Sequence, residues 1–283
     1  MRLLEGRRVL AGAAVRGRER SPGPRFFPGR CRRVLGVVVP AFNEEERVRE
    51  TVRAVLAAFP SALVVVADDG SADRTAAEAE EGGALVVALP ENRGKGAAVR
   101  EGVLEALRRG CAEVLFTDCD LACPPGEWGK LLAPLRGGSA DVAVASRWLG
   151  DSRVEGRTPT RALASWCFAA LARRATGLPY RDFQCGCKAF TRGAALALFS
   201  EPLSCERYAF DVEVLLRARL LSLRVVEVPV LWRAGGASRV RLLRHGPEML
   251  LHLLRLRREY LGRPPVSLST PGPGEGVGRW TAG

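Results

Sequence analysis

The chain has 283 residues, is 47% apolar and carries a net charge of +12, with eight Cys and two His. Such a length and apolar share bury a sizeable core and exclude a small disulfide-stapled scaffold. No apolar run approaches the ~18 residues of a membrane-spanning helix, and no secretory hydrophobic region is visible. The charge is uneven: residues 1–33 sum to +8, residues 238–263 to +5 and residues 34–237 to −1. A neutral fold with basic ends suits an anionic membrane surface. Nucleic acid would suit the ends but not a neutral middle with acidic loops, so no nucleic-acid partner is expected. The Cys spacing is irregular and fits reduced, cytoplasmic thiols. A zinc site at Cys185 and Cys187 would need two more ligands, and only His245 and His252 remain.

Residues 1–33 mix Arg, Gly, Ala and Pro without periodicity and read as a basic, disordered segment. A buried strand is expected over 34–39, then a turn at Pro40-Ala-Phe-Asn43. Asn43 caps a helix, with Glu46 at the capping-box position. A second strand, 63–67, runs into Asp68-Asp-Gly-Ser71, where Ser71 caps the next helix. A third strand covers 84–89, and Asn92-Arg-Gly-Lys-Gly96 turns into a helix over 97–109. The apolar run 114–117 ends in Asp118 and Asp120, and a fifth strand, 141–145, leads to Ser146-Arg147. Then follow an apolar helix (161–175), a Gly/Cys-rich segment (181–190), a helix (211–221) and a strand (224–230). Residues 238–262 read as a basic amphipathic segment. Its helix, 247–261, starts on Pro247 and is Leu-rich and Arg-edged, as interfacial helices are. Residues 263–283 are a Pro/Gly/Ser tail. Repeated strand–turn–helix units with apolar strands imply an α/β, doubly wound, mostly parallel sheet.

In such sheets ligands bind beyond the carboxyl ends of the strands. Asp118 and Asp120, one residue apart at such an end, suit a hard divalent cation shared with substrate phosphates. Asp68 and Asp69 can accept from a nucleotide base or ribose, and Gly94-Lys95-Gly96 offers backbone N–H groups and an ammonium to phosphate. Arg147, Lys188 and Arg239 add positive charge. The chain has three Lys (Lys95, Lys130 and Lys188) against forty Arg, so a retained Lys hints at a compact point charge. Gly94-Lys-Gly96 is not the NTPase phosphate loop, and no G-x-G-x-x-G follows the first strand. With both His in the C-terminal basic segment, a His-based triad is improbable.

Taken together, Val37-Val-Val-Pro-Ala-Phe-Asn-Glu-Glu45, Val66-Ala-Asp-Asp-Gly-Ser71 with Asp73, Asn92-Arg-Gly-Lys-Gly96 and Thr117-Asp-Cys-Asp120 resemble, in order and spacing, the family 2 glycosyltransferases. Asp182-Phe-Gln-Cys-Gly-Cys-Lys188, Phe210-Asp-Val-Glu213 and Glu227-Val-Pro-Val-Leu-Trp232 with Ser238-Arg239 resemble the dolichyl-phosphate β-glucosyltransferase branch. Departures are Phe183 where that branch has Thr, Cys187 where it has Phe, and no N-terminal anchor. The resemblance implies a GT-A domain over 34–237, a nucleotide-diphosphate sugar donor, Mg²⁺ or Mn²⁺, and inversion at the anomeric carbon. On matching positions Pro40, Phe42, Glu44 and Asp69 would surround base and ribose. Asp118 and Asp120 would carry metal and diphosphate, and Arg147, Lys188 and Arg239 would hold phosphates.

A sugar hydroxyl needs a positioned base to attack, whereas a phosphate monoester, with a second pKa near ~6, is already an anionic nucleophile. The Arg and Lys near the site, without His, fit a phosphate acceptor. Asp182 and Asp211 stand as bases or orienting groups, or else as a helix cap and a buried partner of Arg. The leading expectation is transfer of a hexose, glucose from UDP-glucose, to a polyprenyl or dolichyl phosphate by a protein peripheral on the cytoplasmic membrane face. The alternative keeps the fold with a soluble or glycan hydroxyl acceptor.

Overall fold

Runs of Val, Leu and Ala make strands buried on both faces, as parallel sheets flanked by helices require. The computed structural model of the protein describes residues 34–207, 209–234 and 242–260, and of 242–248 the backbone alone. Its strands are β1 (Leu35–Ala41), β2 (Leu63–Asp68), β3 (Leu85–Ala88), β4 (Glu113–Thr117), β5 (Val142–Ser146), β6 (Arg153–Glu155), β7 (Cys187–Thr191), β8 (Val225–Pro229) and β9 (Leu231–Arg233). The helices are α1 (Val48–Ala58), α2 (Thr75–Gly82), α3 (Lys95–Arg108), α4 (Trp128–Arg136), α5 (Pro159–Thr176), α6 (Arg192–Phe199), α7 (Phe210–Leu220) and α8 (Leu242–Tyr260).

Seven strands form one sheet in the order β3-β2-β1-β4-β7-β5-β8, and β6 pairs with β9 in a small second sheet. Every pairing in the large sheet is parallel except those of β7, which runs antiparallel between β4 and β5. The two-residue period of a strand divides the core. Val38, Val65, Phe116 and Val144 face α3, α5, α6, α7 and α8, while Val37, Val39, Val66 and Ala145 face α1, α2 and α4. Helix α3 lies close on β1 because Gly102 carries no side chain: a Cβ there would meet Val38 Cγ1 at 2.5 Å. The chain leaves β1 toward β2 on one side and β4 lies on the other, so the crevice a ligand would use opens at their carboxyl ends.

Several local expectations are corrected. Asn43 caps no helix, since α1 begins at Val48; its amide oxygen instead accepts from Ala72 N at 2.9 Å, and its own N–H donates to Ser71 Oγ at 2.8 Å. Ser71 does not cap α2 either, which begins at Thr75. The two loops are sewn together, with Glu44 N donating to Thr75 Oγ1 (2.7 Å) and Arg74 N to Glu45 Oε2 (3.0 Å). The loops needed each other's polar groups more than their own helix ends did. The 181–190 segment contributes most of the interior strand β7, whose apolar pattern is broken by Lys188 at its second position. Helices α4 and α6 and the β6–β9 pair were not anticipated. The last helix begins at Leu242, so Pro247 lies inside it rather than at its start. Nor is that helix wholly interfacial: Met249, Leu253 and Leu256 are 6%, 0% and 1% exposed in the core.

Candidate active site

β4 ends in a turn in which Leu121 N donates back to Asp118 O at 3.0 Å. Leu121 has φ +47°, a left-handed conformation costly for a branched side chain and typical of functional sites. Thr51 on α1 clamps the turn by donating from Oγ1 to Cys119 O at 2.5 Å. Asp118 N donates to Gly186 O at 3.1 Å, and the Asp118 carboxylate lies across the bare Cα of Gly186. A Cβ at Gly186 would stand 1.9 Å from Asp118 Oδ2, so the glycine creates the space the carboxylate occupies. Asp120 is exposed, and its Oδ1 accepts from Ala122 N at 3.1 Å. Although Asp120 meets solvent on one side, the packed turn beneath it desolvates the carboxyl, and this, followed by the Asp118 charge, raises its pKa above the ordinary value. The pair fits a hard divalent cation: two carboxylates leave one turn with open faces. Among the described residues no third His, Cys, Asp or Glu completes a cage, so phosphate oxygens and water would fill the other positions.

Lys95, the first residue of α3, pairs with Asp118 Oδ1 and is 25% exposed. Burial opposes its charge, but Asp118 and Asp211 outweigh burial and raise its pKa. The turn around Lys95 is not the phosphate nest expected. Arg93 N and Gly94 N each donate to the Asp69 carboxylate at 2.8 Å, and Gly96 N donates to Glu206 O at 2.7 Å. The amides of Arg93, Gly94 and Gly96 are thus committed to protein, and the glycines admit Glu206, Arg207 and Phe210, since a Cβ on Gly96 would meet Phe210 Cβ at 2.7 Å. What the turn offers a ligand is the ammonium. Asp69, with Oδ1 taken by Arg93 N and Oδ2 by Gly94 N, is therefore an organiser of that turn. Asp68, also buried at 4% exposed, differs in its bonding: its Oδ1 accepts from Ser71 N at 3.1 Å and from Ser71 Oγ, while among the described residues its Oδ2 has no partner. Phe42 is 36% exposed at the same rim, just past Pro40, and Glu44 pairs with Arg47 at 3.1 Å.

Three of the groups named as catalytic lie beneath the rim rather than on it. Lys188 is fully buried, its Nζ paired with Asp211 and donating to Cys185 O at 2.9 Å, 5.3 Å from the centre of the Phe116 ring. It has no surface to offer a phosphate. Asp211 is 4% exposed; burial raises its pKa, against Lys188 and Lys95. Asp182, 1% exposed, accepts from Arg147 N (3.0 Å), Nε (2.7 Å) and a terminal guanidinium nitrogen (2.8 Å), and from Gln184 N (3.2 Å). Burial would raise its pKa, but Arg147 outweighs burial and lowers it, which makes Asp182 a poor base. Burial likewise opposes the Arg147 charge and Asp182 outweighs it. Asp182 and Asp211 are thus partners of buried cations. Arg239 lies outside the described residues. The departures Phe183 and Cys187 are core residues, 1% and 0% exposed.

The sequence reading missed Arg157. Its guanidinium lies 4.8 Å from the Trp148 ring centre and 5.9 Å from that of Trp232, which also carries Arg147 at 5.6 Å. Among the described residues no carboxylate pairs with Arg157, and burial, then Arg147, lower its pKa. Two guanidiniums sharing the Trp232 indole, with one carboxylate, Asp182, paired to Arg147, leave positive charge for an anion. Glu227 on β8 fixes the neighbouring turn, accepting from Asp182 N (2.8 Å) and Arg181 N (2.9 Å). A signal existed: Trp148, Trp166 and Trp232 are three of the chain's five Trp, and all flank this side.

A model of glycosyl transferase family 2 matches residues 36–199, more than half of the chain, covering β1 through α6 and the whole acidic turn. The chain belongs to glycosyl transferase family 2. This family 2 member is 36% identical over 228 residues to a dolichyl-phosphate beta-glucosyltransferase of Drosophila melanogaster, covering 73% of this chain and 69% of that one. It is 32% identical over 249 residues to glycosyltransferase AglD of Haloferax volcanii, covering 82% of this chain, which spans 38% of AglD's length. It is 30% identical over 215 residues to a polyprenol monophosphomannose synthase of Mycolicibacterium smegmatis, covering 72% of this chain and 80% of that one. Among solved structures, glucosyl-3-phosphoglycerate synthase from Mycobacterium tuberculosis in complex with Mn²⁺, UDP and glucosyl-3-phosphoglycerate superposes with a TM-score of 0.61 at 22% identity over 80% of each chain. The fold of this family 2 glycosyltransferase is therefore GT-A.

Proposed function

We propose that the chain transfers a hexose, glucose from UDP-glucose, to a polyprenyl phosphate with inversion at the anomeric carbon. The observation that carries this reading is the division of charge at one rim. Asp118, Asp120 and Lys95 stand on one side, and the Arg147–Arg157 pair on its indoles stands on the other, with no unengaged base between them among the described residues. A phosphate nucleophile needs cations to hold it near an anionic donor, and no base. The relatives named for dolichyl-phosphate and polyprenol chemistry support the same acceptor class.

Asp118 and Asp120 would hold Mg²⁺ or Mn²⁺, which when bound supplies Lewis-acid stabilisation of the departing diphosphate. Lys95 leaves Asp118 for the diphosphate oxygens and adds charge stabilisation there. Phe42 and Pro40 pack on the base, and Asp68 Oδ2 accepts from it or its ribose. Arg147 and Arg157 hold the acceptor phosphate, one of whose oxygens attacks the anomeric carbon as the bond to the nucleotide diphosphate breaks. Asp182 and Glu227 keep Arg147 in place, and Asp211 with Lys188 forms the floor under Lys95. Among the described residues no helix is long and apolar enough to cross a membrane. The reading places the protein peripherally on the cytoplasmic membrane face.

A second reading, a soluble acceptor, is favoured by the likeness to a synthase acting on a phosphorylated three-carbon acid. Incubating the purified chain with labelled UDP-glucose, other nucleotide sugars, a short polyprenyl phosphate and phosphoglycerate, with and without EDTA, separates the two. Transfer to the polyprenyl phosphate that EDTA abolishes is expected. Turnover with the soluble acid and none with the lipid phosphate would overturn the first reading.

A further inference from the structure

Nine large hydrophobic side chains are exposed among the described residues, and six lie on two helices that pack together: Leu163, Trp166 and Leu171 on α5, and Leu250, Leu251 and Leu254 on α8. On α5 the spacing places them along one stripe. On α8 the opposite stripe (Met249, Leu253 and Leu256) is already spent in the core, so the outer leucines are not a frayed or misplaced face. Leu251 at 67% and Leu163 at 61% are almost bare to water, an exposure that marks a docking surface. Around them stand exposed arginines, Arg161 and Arg174 on α5 and Arg255, Arg257 and Arg258 on α8. Glu259, the acid beside them, is engaged with Ser204 at 3.2 Å.

We infer that the paired outer faces of α5 and α8 seat the protein on an anionic phospholipid bilayer, leucines and Trp166 in the interfacial layer and arginines among the headgroups. Leucines centred within arginines match a surface that is apolar inside and negative at its boundary. Residues 1–33, at +8, are electrostatically the wrong cover for an arginine-rimmed face. The proposal takes attachment away from residues 1–33 and gives it to α5 of the folded domain together with α8 of the C-terminal basic segment. It also deepens the acceptor reading, and for this part rests on it. Trp166 lines a groove with Trp148, Arg173, Pro179 and Arg181, and Trp148 in turn carries Arg157. A polyprenyl chain could stay in the bilayer while its phosphate reaches the two guanidiniums.

The test uses the full chain and sedimenting vesicles of phosphatidylcholine, alone or with phosphatidylglycerol, lacking nucleotide sugar and polyprenyl phosphate. Binding to the anionic vesicles should be about a hundredfold tighter, the size expected of a few arginines at such a surface. Leu251→Glu with Leu254→Glu, or Leu163→Glu with Leu171→Glu, should each weaken it at least about tenfold. Both pairs should keep the wild-type Tm and wild-type transfer to a water-soluble, short-chain polyprenyl phosphate in solution. Undiminished vesicle binding by both pairs, or equal binding of the wild type to neutral and anionic vesicles, would overturn the proposal. So would a wild-type dimer that either pair converts to monomer, which would assign the face to a second copy. Because the vesicles carry no acceptor, a wrong acceptor reading would leave these results untouched.

Discussion

Adding one methyl group at Gly186 tests whether the Asp118 carboxylate must lie where it does. A Cβ there would fall 1.9 Å from Oδ2, 2.5 Å from Cγ and 2.9 Å from Oδ1 of Asp118. Ordinary carbon–oxygen separations begin near ~3.2 Å, so the carboxylate must swing away by about 1.3 Å. It has room to do so, being 39% exposed, and Gly186 has no left-handed backbone to lose, so the fold should absorb the change with little shift in Tm. A misplacement of ~1 Å at a reacting centre costs about a hundredfold in rate, close to 2.7 kcal/mol. Gly186→Ala should therefore lower kcat/KM about a hundredfold and weaken Mn²⁺ binding, read by electron paramagnetic resonance in the presence of UDP. Gly129→Ala is the control. That helical, exposed glycine has nothing within 4 Å of a built Cβ, and alanine there should stabilise by ~0.5–1 kcal/mol with unchanged kinetics. A fully active Gly186→Ala protein would refute the reasoning.

Lys95→Met removes the ammonium that sits on Asp118. Calorimetry should find Mn²⁺ alone binding about threefold to tenfold tighter, because a competing cation is gone, while affinity for UDP-glucose with Mn²⁺ falls at least about tenfold. Losing both affinities together would instead mean Lys95 merely holds the turn. Arg147 holds Asp182 below the usual carboxylate range, so the ionised group contributes stability above that range and loses it as pH falls through the lowered value. Asp182→Asn should cost about 3–5 kcal/mol in urea unfolding at neutral pH, with the gap to wild type narrowing only as the pH falls below the ordinary carboxylate range. Arg157→Lys cannot lie flat on Trp148 and Trp232, and should raise KM for the phosphate acceptor about tenfold while leaving that for the nucleotide sugar within about twofold.

Much of this was readable in the linear chain because it depended on short-range rules. Apolar runs of strand length broken by Gly, Pro and Asp announced β1 to β5, and an acid pair after an apolar run announced the turn at Asp118. Retaining Lys in a chain that otherwise uses Arg pointed to Lys95 and Lys188, and folding brings both to the same cluster of aspartates. Long-range contacts decided the rest. Which backbone amides a carboxylate meets depends on which loop crosses it, so Asp68 and Asp69, adjacent and alike in sequence, part company: among the described residues one has an oxygen without a partner, and the other holds the turn around Gly94 with both. The same holds for Lys188, whose strand is central only because β7 enters antiparallel between β4 and β5 and carries its ammonium under the site. Arg157 gains its meaning from two indoles, one of them 75 residues further along the chain, and no local pattern encodes a distance of that kind. Residue chemistry therefore set which reaction class the chain could serve, and tertiary burial decided which of its charged groups remained available to a ligand.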